Sequence, residues 1–341
     1  MRFDVAIAGG GPAGLVAATL LARGGLRVLV AATPARRAPR PGETLPGAGL
    51  RLLRSLELPL PAESEGHRPL TGIASAWDGP PVETDYLRSP DGPAWLIDRA
   101  AFDSALARAA AAAGARFVGR RLTAEREGDC WRLDAGLSAG FLVVATGRSA
   151  ALARRLGARR RTEHDLVALW SVAEGRAPER LARPMIERVS DGWWYAVGLD
   201  ESRTYAAFHV EAADAPAVRE PGAWRSRLRS TRFLEPLLAG AGAFTPPRGS
   251  PAGGARLDPC RGEGWAACGD SALAFDPLSS QGLLGAMAGG DMLARALLSE
   301  DRERGLADYE SRLEEIWRIY RDRREAFYGP RRPSEGWNPR G

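Results

Sequence analysis

Glycines 9, 11 and 14 stand where a short apolar strand, "FDVAIAG", gives way to an apolar helix, "GPAGLVAATLLARGG", and a second β-branched strand, "RVLVAA", follows. Glycines at this spacing permit a tight turn and let backbone amides approach a pyrophosphate at a helix N-terminus, where the dipole favours negative charge. The strand–turn–helix–strand setting lifts the motif above an ordinary glycine turn. Gly9, Gly11, Pro12, Ala13 and Gly14 are therefore expected to hold a dinucleotide. The acid that usually ends the second strand and binds the ribose is missing, because Ala32 stands there. Thr33 or one of Arg36, Arg37 and Arg40 is left to bind the ribose. The change is also compatible with weak cofactor retention or a phosphorylated ribose.

A second helix start poses the same chemical question. In "DPLSSQGLLGAM", residues 276–287, a polar loop with two serines and a glutamine runs directly into an apolar helix. A helix opening at Gln281, Gly282 and Leu283 offers unpaired N–H groups and a positive dipole end to whatever lies in front of it. Three further segments carry polar groups beside predicted element ends: "GETLP" at 42–46, Arg99 in the first turn of a helix capped by Asp98, and "VVATG" ending a buried strand at Gly147. His67, His164 and His209 lie in separate segments, so no Ser-His-Asp set is predicted and each is read as a structural or surface histidine. Cys130, Cys260 and Cys268 match neither a disulfide framework nor a metal site, and no metal is expected.

The elements that must position these groups alternate in type. The 341 residues, 45% of them hydrophobic, suffice for one large domain or two interleaved ones. Strands and helices alternate to about residue 155. From 166 to 210 the pattern turns to period-two alternation in "LVALWSV", "MIERVSDGWWYAVGL" and "RTYAAFHV", which predicts an antiparallel sheet. Alternation sends Trp193 and Tyr195 to one face and Trp194 to the other. Irregular, proline-rich chain is expected to Pro259, then a return to α/β character. A last amphipathic helix, "LADYESRLEEIWRIYRDRREAFY", is expected to pack on the core and stop at Gly329. The expected division is 1–75, 96–155 and 256–300 for the nucleotide domain, 76–95 and 156–255 for an inserted substrate domain, and 301–341 for a helical C-terminal segment.

The formal net charge is +5, and all 47 basic residues are arginine. So small a charge argues against nucleic-acid binding, and the arginine run near "ARRLGARRRTEHD" reads as a solvated face. The first apolar run lacks a signal peptide's basic leader and cleavage site, and no apolar stretch reaches the ~20 residues of a membrane span, so a cytoplasmic protein without membrane association is expected.

Taken in order, Gly9-x-Gly11-x-x-Gly14, Arg99, "VVATG" and "CGDSALAFDPLSSQG" resemble the flavoprotein monooxygenases of the p-hydroxybenzoate hydroxylase fold, over about residues 2–298. The resemblance implies an α/β fold: an FAD-binding Rossmann-like domain of the glutathione reductase and p-hydroxybenzoate hydroxylase type, an inserted antiparallel substrate domain and a C-terminal helix. It implies that Asp270 binds the ribityl chain of FAD and that Arg99 helps hold the cofactor. Thr44, Thr146, Gly147 and Pro277 join the expected FAD-binding residues. The loop before Gly282 then has a reason, since reduced flavin carries negative charge near N1 and C2=O. "GETLP", "DGWWYAVGL" and "DPLSSQG" resemble more closely the flavin-dependent tryptophan halogenases and their relatives that hydroxylate tryptophan during maturation of quinone-cofactor enzymes.

Halogenases of that group relay hypohalous acid through a lysine, and this chain contains none. Hydroxylation of an aromatic substrate, an indole or a peptidyl tryptophan, through a flavin C4a-hydroperoxide is the expected reaction. O2 is the co-substrate, and electrons come from NAD(P)H directly or from a partner flavin reductase. Glu43 is the expected proton acceptor or orienter, with a salt bridge as its plainer role. Trp170 and Trp194 are the expected substrate contacts. A flavin-dependent reductase of the geranylgeranyl reductase type and a non-catalytic maturation protein with weak FAD binding stand as alternatives.

Overall fold

The computed structural model describes residues 1–33, 41–175 and 177–329. Arg36, Arg37 and Arg40, candidates for the ribose, lie outside the described residues.

The first sheet runs in the order Arg261–Gly262, Trp265–Ala267, Ser138–Val144, Arg2–Ala8, Val28–Ala31, Arg116–Val118, parallel along this path except at the first edge strand, and Cys130–Leu133 with Ala124–Glu127 forms an antiparallel branch on Ser138–Val144. Its central strands are continuous apolar runs because both faces are covered. Val5, Ile7, Leu142 and Val143 are almost wholly excluded from solvent. The helices Pro12–Arg23, Arg99–Ala112 and Gly282–Leu298 share that core, and Pro12–Arg23 packs on both of the others. Asp98 caps the second of these helices as expected, accepting from the amides of Ala100 and Ala101 at 2.9 Å.

The second sheet has the order Arg248–Pro251, Leu166–Glu174, Arg203–Glu211, Gly192–Gly198, Met185–Val189, Gly72–Ala76, Val82–Asp85. It is antiparallel apart from the pairing of Met185–Val189 with Gly72–Ala76. Strand Gly72–Ala76 belongs to this sheet, so the chain crosses from one sheet to the other earlier than the expected junction after residue 75.

Two expectations are corrected here. The proline-rich stretch after Val210 is not irregular. It forms the helix Pro221–Arg229, begun by Pro221 and by Glu220 accepting from Ala223 N at 2.8 Å, with short helices Ala215–Val218 and Leu234–Leu237 on either side. These helices cover one face of the second sheet and build a separate core from Leu169, Trp194, Phe208, Val218, Trp224 and Leu234. Glu187 ties the two layers by accepting the backbone N–H groups of Arg232, Phe233 and Leu234 at 2.7, 3.1 and 2.7 Å. Trp194 is the second correction. It is fully buried in this core, stacked on Phe208 at 4.8 Å and edge-on to Trp224 at 5.0 Å, and so has no surface to offer a substrate.

The last helix, Arg302–Tyr328, buries Leu306, Tyr309, Leu313, Trp317 and Tyr320 at helical spacing. Among the described residues no helix is long and apolar enough to cross a membrane. All three cysteines are free, and burial pushes Cys260 and Cys268 up to about 12, which makes them inert thiols.

Candidate cofactor and active site

The three motif glycines have three different physical reasons. Gly9 sits at φ +119°, and a Cβ there would lie 2.1 Å from Ala145 O. A Cβ on Gly14 would lie 2.2 Å from Gly9 O. Gly11 alone faces open space, with nothing within 4 Å of its would-be Cβ. Gly9 and Gly14 thus let the turn close on the sheet, whereas Gly11 keeps room for a ligand beside a helix end that no side chain caps.

The second helix start has the same form. Gln281 makes no capping bond with its side chain, Gln281 and Gly282 are exposed, Leu283 is buried beneath them, and a Cβ on Gly282 would meet nothing within 4 Å. Glycines again fix where this helix lies. A Cβ on Gly290 would come 2.3 Å from Ala13 O, and one on Gly269 would come 2.5 Å from Ala13 Cβ. Ala13 therefore sits in a glycine-lined depression that locks the two helices and the Gly269–Asp270 turn together. Gly290 is eight residues into its helix, so at 1.5 Å rise per residue the opening at Gly282 stands about 12 Å along that helix from the contact with Ala13.

Around these openings lie the other predicted groups. Gly147, at φ +71° with open space at its Cβ position, follows Thr146, whose Oγ1 is buried and finds no partner among the described residues. Ser271 Oγ donates to Gly147 O at 3.1 Å and so joins this turn to that of Asp270. Arg148, which sequence reasoning passed over, spans the region: its guanidinium donates to Gly253 O at 2.6 Å and to Phe275 O, and its Nε lies 3.7 Å from Asp270 Oδ2. Arg160 donates to Asp270 O at 3.1 Å. Burial first, then the charge of Arg148, draws the Arg160 pKa below the usual arginine value. Thr33 is exposed just past the strand Val28–Ala31, and Pro277 is exposed in the loop before Gly282.

Glu43, Thr44 and Arg99 form a second group. Thr44–Leu45 pairs with Ala94–Leu96 and touches the helix Gly282–Leu298. Arg99, only 11% exposed at its side chain, is held between the carboxylates of Glu43 and Asp103, the latter at 3.1 Å. Burial alone would lower its pKa, but the two carboxylates outweigh that and hold it above the ordinary value. The salt bridge considered for Glu43 is therefore present.

The second sheet turns its other face to this group. Tyr195 donates its hydroxyl to Gly42 O at 3.1 Å, and a Cβ on Gly42 would lie 2.6 Å from the Tyr205 ring, so Gly42 must be glycine for the sheet to seat there. Burial first and Glu43 second raise the Tyr205 pKa, and burial raises that of Tyr195, so both phenols stay protonated. Trp170 lies on this face, 6.0 Å from Tyr205, with its Nε1 donating to Ser250 Oγ at 3.1 Å and the Arg248 guanidinium 5.6 Å from its ring centre. The histidines are structural and buried rather than at the surface. His67 Nδ1 accepts from Asp98 N at 3.1 Å, and His209 stacks on Trp193 at 3.6 Å.

Two open helix ends thus flank the Thr146 hydroxyl, unpartnered among the described residues, and the Asp270 turn, an arrangement suited to a dinucleotide with a ring at one end. The residues present fit FAD, with room for a pyrophosphate at Gly11 and for an electron-rich ring edge at Gly282. Residues 2–180 match the FAD binding domain family, and the chain belongs to it. Over 345 residues it is 26% identical to LodB, an FAD-dependent oxidoreductase of Marinomonas mediterranea, covering 96% of this chain and 92% of LodB. The myxobacterial chondrochloren halogenase CndH superposes with a TM-score of 0.83 at 22% identity, over 98% of this chain and 84% of CndH. The peptidyl tryptophan dihydroxylase QhpG, essential for tryptophylquinone cofactor biogenesis, superposes with a TM-score of 0.75 at 26% identity, over 96% of this chain and 76% of QhpG. The protein is a flavin-dependent oxidoreductase.

Proposed function

We propose that the protein hydroxylates an electron-rich aromatic ring, an indole or the tryptophan side chain of a peptide. O2 is the oxidant, and the electrons come from NAD(P)H or from reduced flavin delivered by a separate reductase. The overall balance is one C–H bond and O2, with two electrons and two protons, giving C–OH and water. FAD, when bound, supplies the oxygen-activating chemistry. The protein's share is to position the ring and exclude water.

One observation carries the reading: the aromatic sheet face of Trp170, Tyr205 and Tyr195 closes on the Gly42–Glu43 segment, whose carboxylate in turn holds Arg99. The residues expected to touch substrate thus adjoin those expected to hold FAD. Trp170 and the protonated phenol of Tyr205 offer stacking and a donor to an aromatic substrate. Glu43, whose carboxylate pairs with Arg99 and whose charge acts on Tyr205, is the candidate base for the ring proton when the C–O bond forms. The likeness to QhpG supports a peptide-bound ring. Halogenation is disfavoured because a chain without lysine cannot carry a lysine relay.

The test supplies FAD, a reductase with NADH, and tryptophan-containing peptides beside free indoles, and follows products by mass spectrometry. One added oxygen per ring is expected, with Glu43→Gln lowering kcat more than it raises KM. Bromination in the presence of bromide, or reduction of a double bond without O2 uptake, would overturn the proposal.

A further inference from the structure

The loop Asp276–Ser280 decides where the open helix end at Gly282 points, yet its anchor comes from the other end of the chain. Asp276 is 3% exposed. Its Oδ1 accepts from Leu278 N at 3.0 Å, which curls the loop back on itself, and its Oδ2 accepts from the Tyr320 hydroxyl at 2.9 Å. The same hydroxyl accepts from Asp276 N at 3.4 Å, so one phenol grips both the side chain and the backbone. Ser279 Oγ donates to Asp276 O at 3.1 Å, and His164 Nε2 lies 3.9 Å from Oδ2. Past this point the loop adopts a left-handed turn at Ser280, φ +50°, and enters the helix without a side-chain cap.

Tyr320 is built into place. Its ring packs on Phe275 and Trp317, with centres 5.0 and 5.1 Å away. A Cβ on Gly254 would lie 2.2 Å from the Tyr320 oxygen, so glycine at 254 is what lets the hydroxyl through. The helix that carries it is tied on both sides of the loop. Tyr309 donates to Ala267 O of the first sheet at 2.7 Å, Arg321 pairs at 3.0 Å with Glu163, just past the strand Arg159–Thr162, and Trp77 Nε1, beside the second-sheet strand Gly72–Ala76, donates to Phe327 O at 3.0 Å. The last helix is thus a strap tied to both sheets, and among its described side chains Tyr320 hydrogen-bonds the loop while the charge of Arg324 also acts on Asp276.

We propose that Tyr320 is a positioning residue: through Asp276 it fixes the 276–281 loop and thereby the amides at Gly282 that face the flavin. This rests on the reading of Gly282 as the flavin-facing helix end. A hydroxyl bonded to a buried carboxylate is among the stronger side-chain contacts, and a loop that loses such an anchor opens more readily.

Tyr320→Phe keeps the ring and deletes the contact. Tyr309→Phe, the control, deletes a hydroxyl that is also buried, on the same helix away from the loop. Hydrogen exchange of amides 278–284 in the FAD-free protein is expected to speed up about tenfold or more in Tyr320→Phe, and FAD Kd by fluorescence titration to rise about three- to tenfold. Tyr309→Phe should move neither, even at equal loss of Tm. Because Tyr320 acts through Asp276, the double variant Tyr320→Phe/Asp276→Asn should lose no more than Asp276→Asn alone. Unchanged loop exchange in Tyr320→Phe, equal changes in the two phenylalanine variants, or additive losses in the double variant would each overturn the inference. Were the wild type to bind no FAD, the functional proposal would fall, and the exchange comparison in the FAD-free chain would still decide this one.

Discussion

Replacing each motif glycine by alanine separates folding from cofactor binding. At Gly11 the backbone is at φ −92°, ψ 179°, which alanine adopts freely, and the added methyl meets nothing within 4 Å. The loss of unfolded-state entropy favours the variant by about 0.4–1 kcal/mol, and alanine in place of glycine at a helix N-cap costs about 0.5–1 kcal/mol in return, so the two nearly offset and Tm should stay within about 2 °C of wild type. That methyl occupies the space a pyrophosphate needs against the amides. Losing one or two charge-assisted bonds, about 2–3 kcal/mol in all, raises FAD Kd by about 30- to 150-fold. Gly14→Ala drives a methyl to 2.2 Å from Gly9 O, where strand and helix are both pinned, and should cost about 1–3 kcal/mol of stability or more. Gly9→Ala adds the strain of φ +119° to an overlap at 2.1 Å and should fail to accumulate as folded protein. Thermal melts without FAD and fluorescence titrations with it read the two quantities apart. A Gly11→Ala protein that melts normally and binds FAD like wild type would refute the placement of the phosphates.

Three other outcomes follow from the same geometry. Gly282→Ala should weaken FAD but leave ADP untouched in competition titrations if the Gly282 opening receives the ring as proposed, since it stands about 12 Å from the Ala13 contact; equal losses for both ligands would count against two separate ends. His209, stacked on Trp193, is held down to about 3 by burial against an unfolded value of 6.5. Above pH 6.5 it is neutral in both states, and between 6.5 and about 3 only the unfolded chain takes the proton, so stability falls by about 1.4 kcal/mol per pH unit; denaturant midpoints from pH 7 to 4 should show a shallower fall in His209→Gln, and parallel curves would exclude it. Trp194→Phe should lower stability by about 1–3 kcal/mol with KM unchanged, whereas Trp170→Phe should raise KM with little loss of Tm; steady-state kinetics beside melting curves distinguish them, and the reverse pattern would put the substrate on the other sheet face.

What sequence reveals about this fold depends on how local the cause is. The turn at Gly9–Gly14, the cap at Asp98 and the alternation that splits Trp193 from Trp194 are each fixed by neighbours within a few residues, and each is found as expected. Arg99 was legible because it opens a helix, but its two carboxylates come from Glu43, 56 residues away, and Asp103, one turn on. Trp194 was misread because periodicity assigns it a face without saying which face is covered. That was decided by Trp224 and its neighbours, in a stretch whose prolines read as irregular chain although Pro221 opens a helix. Arg148 had a usable signal, directly following "VVATG" in a turn already under suspicion. Tyr320 had none, since on an amphipathic helix it is one apolar-face residue among five.

The spacing between the two helix ends shows why the pattern as a whole was more informative than its parts. A helix N-terminus carries about half a positive charge and unpaired N–H groups, and either end alone could be met by water or a cap. Here both lack side-chain caps, both carry a glycine with open space, and they are held in one geometry by Ala13 against Gly269 and Gly290. Small residues at 13, 269 and 290 set how closely two helices and a turn approach, whatever the Ala13 amide offers a ligand. A larger residue at 269 or 290 would push Ala13 away and separate the ends. The glycine-rich seam and the two uncapped ends therefore form one device, in which packing sets the distance between the two ends that are proposed to hold a long anionic cofactor.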